Sequence, residues 1–297
     1  MKNKKILIFG CSGMLGNTLF RYLSKNKNLQ LWATVRSIEK KKKWFTKQQQ
    51  ETILILEDTQ NISDFKKILS TIKPDCVINC IGIVKQTKVA KDITAQIYVN
   101  ALFPHILAKE CREQNVRLIH FSTDCVFNGE KGMYQEKDLS DAYDVYGKTK
   151  WLGEVNGEHC VTIRTSIIGH GLENHYSFID WFLTQKHSVK GFTRAIYSGL
   201  PAIELARIIE KYFVENKMEG LYHVSSDPIS KYDLLRLVSE KYNKHIAIEP
   251  DPSVKIDRSL DSTKFRKETG YQPPIWEVLI KNMYNNYKEN KYFVSYE

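Results

Sequence analysis

The chain has 297 residues, 42% hydrophobic and 26% charged, with 44 Lys and Arg against 34 Asp and Glu and a formal charge of +10. That balance excludes disordered and fibrous classes and leaves one large or two small globular domains. No apolar run approaches the roughly 18 residues of a membrane-crossing helix, so neither a membrane span nor a membrane partner is expected.

The start is basic, but only Ile6-Leu7-Ile8-Phe9 stands before Gly10, too little for the apolar stretch of an export signal. Six cysteines, at 11, 76, 80, 111, 125 and 160, form no CxxC pair and read as reduced thiols. A cytoplasmic protein is expected. The excess positive charge is scattered, and its one dense block, residues 40–43, reads as solvated loop. No aromatic-interleaved basic strand or zinc-finger spacing points to nucleic acid.

In chain order, strands are predicted over 5–9, 29–35, 52–56, 75–81, 116–121 and 160–165, with helices over 14–25, 62–72, 93–114 and 142–155. Short apolar runs separated by helical periods predict an α/β fold, a doubly wound parallel sheet (Rossmann-like) covered on both faces. Later residues are richer in helix, over 176–185, 202–216, 231–242 and 274–287, with short strands over 220–224 and 246–249. They predict a smaller C-terminal α/β substrate lobe at the carboxyl end of the sheet. The expected division is a dinucleotide-binding domain over 1–166 and a mainly substrate-binding lobe over 167–297, with some segments returning to the first.

Directly after the first strand comes Gly10-Cys11-Ser12-Gly13-Met14-Leu15-Gly16. Three glycines spaced by three, between strand and helix, let the backbone turn tightly and bring helix N–H groups against a pyrophosphate. Twenty residues past Gly16, where an NAD site places an acid for the ribose 2′-hydroxyl, stands Arg36. A guanidinium there suits the 2′-phosphate of NADPH, with NADH as the lesser alternative. Asp58, past the third strand, is a candidate for the adenine amino group, and Gly82, past Asn79, allows close approach to the cofactor.

Tyr146 and Lys150 stand four apart, on one face of a predicted helix. They follow a strand ending Phe121-Ser122-Thr123-Asp124, whose hydroxyls lie at the edge where doubly wound folds bind ligands. A phenol titrates near pH 10, so a neighbouring ammonium eases its proton exchange at neutrality. Thr123 is placed to hydrogen-bond the same substrate oxygen. His170 and His175 lack ligand spacing and read as loop residues, so no metal is expected. Trp181 and Phe182 read as core, with the alternative that one of them borders the sugar. Arg258 faces a diphosphate or pairs with Asp257 or Asp261. Cys80 and Cys125 have no evident base, which argues against a nucleophilic thiol.

With these residues on view, the chain resembles an extended short-chain dehydrogenase/reductase, and more narrowly the dTDP-4-dehydrorhamnose reductase family. The matching stretches are 10–16, Ser122-Thr123-Asp124-Cys125-Val126-Phe127-Asn128-Gly129, 146–150 with Gly153-Glu154, Arg164-Thr165-Ser166, 220–223 and 258–262. The resemblance implies reduction of the C4 keto group of a nucleotide-linked 6-deoxyhexose by NAD(P)H, for surface-polysaccharide synthesis. It implies Thr123, Tyr146 and Lys150 as the catalytic set, with Tyr146 and Lys150 also at the cofactor. Asn100 matches a family asparagine, and Asp124, Ile167 and Arg258 fall on the substrate side. Ile167 stands where the family carries an aromatic, and Cys125 where a Tyr is common. The expected partners are a dTDP- or UDP-sugar and, in a homodimer, a second copy.

Two rivals compete. A 4,6-dehydratase follows Thr-Asp with Glu, but Cys125 stands there and cannot act as an acid/base carboxyl; an epimerase retains NAD, against which Arg36 argues. A non-catalytic NADP-binding regulatory subunit resembles the same family and keeps the Tyr/Lys pair.

Overall fold

The computed structural model describes residues 3–39, 42–172 and 177–290. Seven strands form one parallel sheet: β1 (Lys4–Phe9), β2 (Leu29–Val35), β3 (Ile53–Ile55), β4 (Cys76–Asn79), β5 (Arg117–Ser122), β6 (Cys160–Arg164) and Gly220–His223. Their order across the sheet is β3, β2, β1, β4, β5, β6 and then Gly220–His223. The order reverses between β1 and β4, and ligands of such sheets bind at the strand ends beside that switch.

β1 shows why both faces are covered. Ile6 to Phe9 are fully buried, and successive side chains of a strand point to opposite faces. Ile6 and Ile8 enter a core with Leu15, Leu19 and Phe20 of α1 (Met14–Leu23). Leu7 and Phe9 enter another with Phe65, Leu69, Phe103 and Leu107. Phe103 stacks edge-on to Phe65 at 5.8 Å and lies 6.4 Å from Phe9. One apolar run thus serves two helical layers, as continuous rather than alternating hydrophobicity requires.

The predicted helix over 93–114 is interrupted. An α-helical turn Ile93–Gln96 leads into a π-helical segment Ile97–Leu102, and regular helix resumes over Phe103–Glu113. Pro104 has no N–H to give the Asn100 carbonyl four residues back, so the normal bond there is absent and the helix widens. Gly153 packs against that carbonyl: a Cβ on it would sit 1.9 Å from the oxygen. The helix predicted over 202–216 likewise runs as Ala202–Ile208 and a π segment Ile209–Val214.

The strand predicted over 220–224 lies in the main sheet. Gly220–His223 is the seventh strand of the main sheet, parallel to β6, because Tyr222 and Val224 are buried with Phe213 and Phe265 in the principal core. The strand predicted over 246–249 is Ile248–Asp251, which pairs with Val189–Phe192 away from the main sheet. A second small sheet joins Ala195–Tyr197 to Ile229–Ser230 and Ile256–Asp257. Among the described residues no helix is long and apolar enough to cross a membrane.

Candidate active site

The glycine turn between β1 and α1 divides its work. Gly10 has φ +85°, and a side chain there would meet Ile81 and the Cys80 backbone. Gly16 lets α1 abut the turn, since a Cβ would lie 2.3 Å from the Gly10 oxygen. Gly13 caps α1 without a side-chain hydrogen bond, and a Cβ there would make only ordinary contact with the Gly10 oxygen at 3.6 Å, so the first N–H groups of the helix, beside Ser12, Met14 and Leu15, have no side-chain cap. Thr34 of β2 ties the turn down, accepting from Gly10 N at 3.2 Å and Cys11 N at 2.9 Å. Arg36, just past β2, is exposed. Asp58 is exposed too, its carboxylate accepting from Gln60 N at 2.8 Å.

Asn79 ends β4, its amide bonded to Ile81 N at 3.1 Å and to His120 at 3.2 Å. Gly82 is exposed just beyond. Asn100 is fully buried and spends its whole amide on one residue, accepting from Ile83 N at 2.8 Å and donating to Ile83 O at 2.9 Å. It holds the loop after β4 from behind.

Tyr146 stands on the helix Val145–Leu152, capped by Asp144, which accepts from Gly147 N at 2.9 Å. Gly147 allows this helix to touch the chain after β5: a Cβ there would lie 2.2 Å from the Cys125 oxygen. That contact brings Tyr146 beside Thr123. Burial pushes the phenol well above its usual value; Cys125, Asp124 and Asp144 add to this, and hydrogen bonding with Thr123 opposes it. Tyr146 is therefore protonated at neutral pH, the state a proton donor needs. The structure does not bring the Lys150 ammonium onto Tyr146 as expected; it donates to Phe121 O at 2.6 Å.

Lys150 is buried, and burial lowers it to about 8, with Glu154 and Cys80 acting the other way. Between pH 8 and the usual lysine range the unfolded chain keeps a proton the folded chain has lost, so stability rises with pH through that window. Lys150→Met should thus be more stable than wild type at pH 7, by roughly 1–3 kcal/mol after loss of the bond to Phe121. Urea unfolding at pH 7 and 9.5 checks this: the difference should shrink at the higher pH, and a variant no more stable at pH 7 would contradict the assignment.

Below the site lies a buried polar chain that sequence reading did not assemble. Glu154 accepts from Ser122 Oγ at 2.7 Å and takes both arms of Arg164, each at 2.7 Å. Arg164 also approaches His223 Nε2 at 3.3 Å, and His223 Nδ1 reaches Tyr134 O at 2.9 Å. Burial and Arg164 lower His223 to about 3. A neutral ring donating to Tyr134 O and accepting from Arg164 satisfies both contacts.

Of the residues expected to face substrate, Asp124 is buried and pushed up by that burial, while Thr123, Arg258, Cys125 and Ser166 hold it down. Arg258 pairs with neither Asp257 nor Asp261; its Nε donates to Phe127 O at 2.7 Å and Nη1 lies 4.0 Å from Cys125 Sγ. Ile167 opens the short strand Ile167–Ile168, half-buried beside the core that includes Leu200. Cys125 is raised to about 11 and Cys80 higher still by burial, so both thiols stay protonated. Two cations were missed. Lys231 begins the helix Lys231–Lys241, its ammonium 5.6 Å from the Phe178 ring, lowered by burial and sustained by Asp124 and Cys125. Lys85 follows β4 and pairs with Asp144 at 2.8 Å. A lone Lys in a Lys-rich chain carries no signal by itself.

His170 is a buried anchor, bonded to Asp180 at 2.6 Å and Tyr242 at 2.8 Å. Lys40, His175 and the start of the helix predicted over 176–185 lie outside the described residues. Phe182 is core, but Trp181 is 40% exposed, a correction to its reading as core. It sits on the face of Phe178–Thr184 that also carries Phe178. Among the described residues no group of three His, Cys, Asp or Glu is arranged to hold a metal ion.

A doubly wound sheet with a glycine turn at its switch point and a Tyr-x-x-x-Lys helix at its carboxyl edge defines a nucleotide-cofactor oxidoreductase of the short-chain dehydrogenase/reductase class. Within it, the chain belongs to the family described as RmlD substrate binding domain, whose model matches residues 4–289. It is similar to a dTDP-4-dehydrorhamnose reductase of Aggregatibacter actinomycetemcomitans, 26% identical, with 94% of this chain and 98% of that protein covered. Spore coat polysaccharide biosynthesis protein SpsK of Bacillus subtilis is also 26% identical, over 93% of this chain and 95% of that protein. A crystal structure of dTDP-4-dehydrorhamnose reductase from Bacillus anthracis in complex with NADP shares the fold. Its TM-score is 0.78 at 21% identity, with 96% of this chain and 98% of that chain covered.

Proposed function

We propose that this protein reduces the C4 keto group of a dTDP- or UDP-linked 4-keto-6-deoxyhexose with NADPH, in the cytoplasm, as a step toward surface polysaccharide. The observation that carries the reading is a protonated Tyr146 packed beside Thr123, one helical turn from a buried Lys150. The names of the reductase and spore-coat relatives support the substrate class.

The residues present fit the dinucleotide: the start of α1 has no side-chain cap, and Gly13 brings no side chain between its N–H groups and a pyrophosphate. When bound, NADPH supplies the hydride. Thr123 holds the keto oxygen, and Tyr146 gives its proton to that oxygen as charge builds there. Lys150 holds the nicotinamide ribose from its place over Phe121 O. Asn100 acts through Ile83, fixing the loop on which Gly82 meets the cofactor. Asp124 and Ile167 border the sugar, while Arg258 and Lys231 provide positive charge for the diphosphate. On this reading residues 1–166 hold the dinucleotide and also bring Thr123 and Asp124 to the sugar, and residues from 167 serve mainly the sugar nucleotide, with some segments returning to the first domain. Incubation with NADPH carrying deuterium at both C4 positions tests the reaction: deuterium should appear on sugar C4, and an oxidised cofactor with no label there would overturn it.

Arg36 carries the cofactor preference. Arg36→Ala should weaken NADPH about ten- to a hundredfold and NADH hardly at all, the effect of losing a charge-assisted contact. Equal losses in calorimetric titrations would show that Arg36 does not read the 2′-phosphate.

A homodimer is the assembly we favour. Ile93, Ile97 and Leu102 lie beside Trp151 and Leu152 on adjacent helical segments, each 45–54% exposed. Light scattering should give twice 34.6 kDa for the wild type and a monomer for Ile97→Asp; a monomeric wild type would contradict this.

A further inference from the structure

We propose that Lys85 is a positioning residue for the reaction proposed above, anchoring the start of the Tyr146 helix through Asp144 and stabilising the phenolate that Tyr146 becomes on giving up its proton. The inference rests on that reading for its chemistry, but its geometry stands independently. Lys85 Nζ donates to Asp144 Oδ2 at 2.8 Å, while Asp144 Oδ1 accepts from Gly147 N at 2.9 Å. One carboxylate therefore joins the loop after β4 to the first turn of the helix. The same ammonium lies 5.4 Å from the centre of the Tyr146 ring. A cation over a ring is attracted to its face, and more strongly once the ring carries a full negative charge. The contact gains strength as the proton leaves, so it favours the transition state over the ground state.

Of the other groups facing Tyr146, Thr123 alone favours the phenolate, and it is neutral. From the segment after β5, Asp124 and Cys125 disfavour the phenolate and Thr123 favours it by hydrogen bonding; on the Tyr146 helix, Asp144 also disfavours it. Lys150, on the same helix, is engaged by Phe121 O. Arg258 approaches Cys125 and donates to Phe127 O. Lys85 also draws the neighbouring Cys125 thiol down. Its side chain is 36% exposed, so solvent and salt moderate the effect.

The test places 2,3,5-trifluorotyrosine at position 146, whose acidic phenol titrates in a convenient range by fluorine NMR, in wild-type, Lys85→Met and Lys85→Arg proteins. In Lys85→Met the phenol should titrate roughly half to one pH unit higher, and Lys85→Arg should restore most of the difference. In turnover, with Tyr146 itself, Lys85→Met should lower kcat about two- to fivefold with KM for NADPH unchanged, again with rescue by Arg. A shift below about 0.2 unit in Lys85→Met, or no restoration by Arg, overturns the proposal. Because the titration needs no substrate, a full shift in a protein that turns over no keto-sugar supports the Lys85–Tyr146 coupling and counts against the reductase reading alone.

Discussion

Tyr146→Phe should lower kcat about 10²–10⁴-fold while NADPH binds as before. Phenylalanine keeps the ring and its packing beside Thr123 and removes only the proton. Burial and the nearby Asp124, Asp144 and Cys125 keep that proton on the phenol, so it is available when negative charge develops on the sugar oxygen. The loss belongs to the transition state and appears in kcat, not in cofactor affinity. Lys150→Ala should harm both rate and NADPH binding, because the proposed function has its ammonium hold the ribose as well. Cofactor titration beside steady-state turnover separates the two, and Tyr146→Phe turnover within a few-fold of wild type would remove Tyr146 from its role.

The second large effect concerns stability. Glu154→Ala should destabilise the fold by about 3–5 kcal/mol, because it strands a buried guanidinium. Arg164 loses two 2.7 Å bonds and Ser122 loses its acceptor. The side chains of Arg164 and Glu154 are only 4% and 9% exposed, so water does not replace the missing partner. The thermal midpoint should fall by roughly 10 °C. The double variant Glu154→Leu with Arg164→Met should recover part of the loss, since removing both charges leaves neither stranded. Glu154 also supports the charge on Lys150, so the single variant should lower the Lys150 titration further. A Glu154→Ala protein within about 1 kcal/mol of wild type would show that the pair carries no such load.

Local pattern made much of this legible. The run Ile6–Phe9, its glycine turn and the helix after it read as strand, anion cradle and helix because each signal lies within a few residues. The spacing of Tyr146 and Lys150 placed both on one helical face, where the structure has them. What escaped depends on contacts distant in sequence. Gly220–His223 looks like any short strand until Tyr222 and Val224 find Phe213 and Phe265 and dock beside β6. The π segment at Ile97–Leu102 keeps a helical apolar pattern, and only Pro104 marks the widening. Glu154, Arg164 and His223 were visible as parts of matching stretches, but not as one network, because they come from three separate segments. Lys85 and Lys231 gain meaning only from Asp144 and Asp124, far along the chain.

The most direct test of the central claim is NADPH oxidation against a panel of dTDP- and UDP-linked 4-keto-6-deoxyhexoses, followed at 340 nm with the products identified by NMR. At least one member should be reduced at C4, with turnover lost in Tyr146→Phe. A protein that binds NADPH tightly yet oxidises it with no member of the panel would contradict the reductase assignment and favour a non-catalytic, regulatory role.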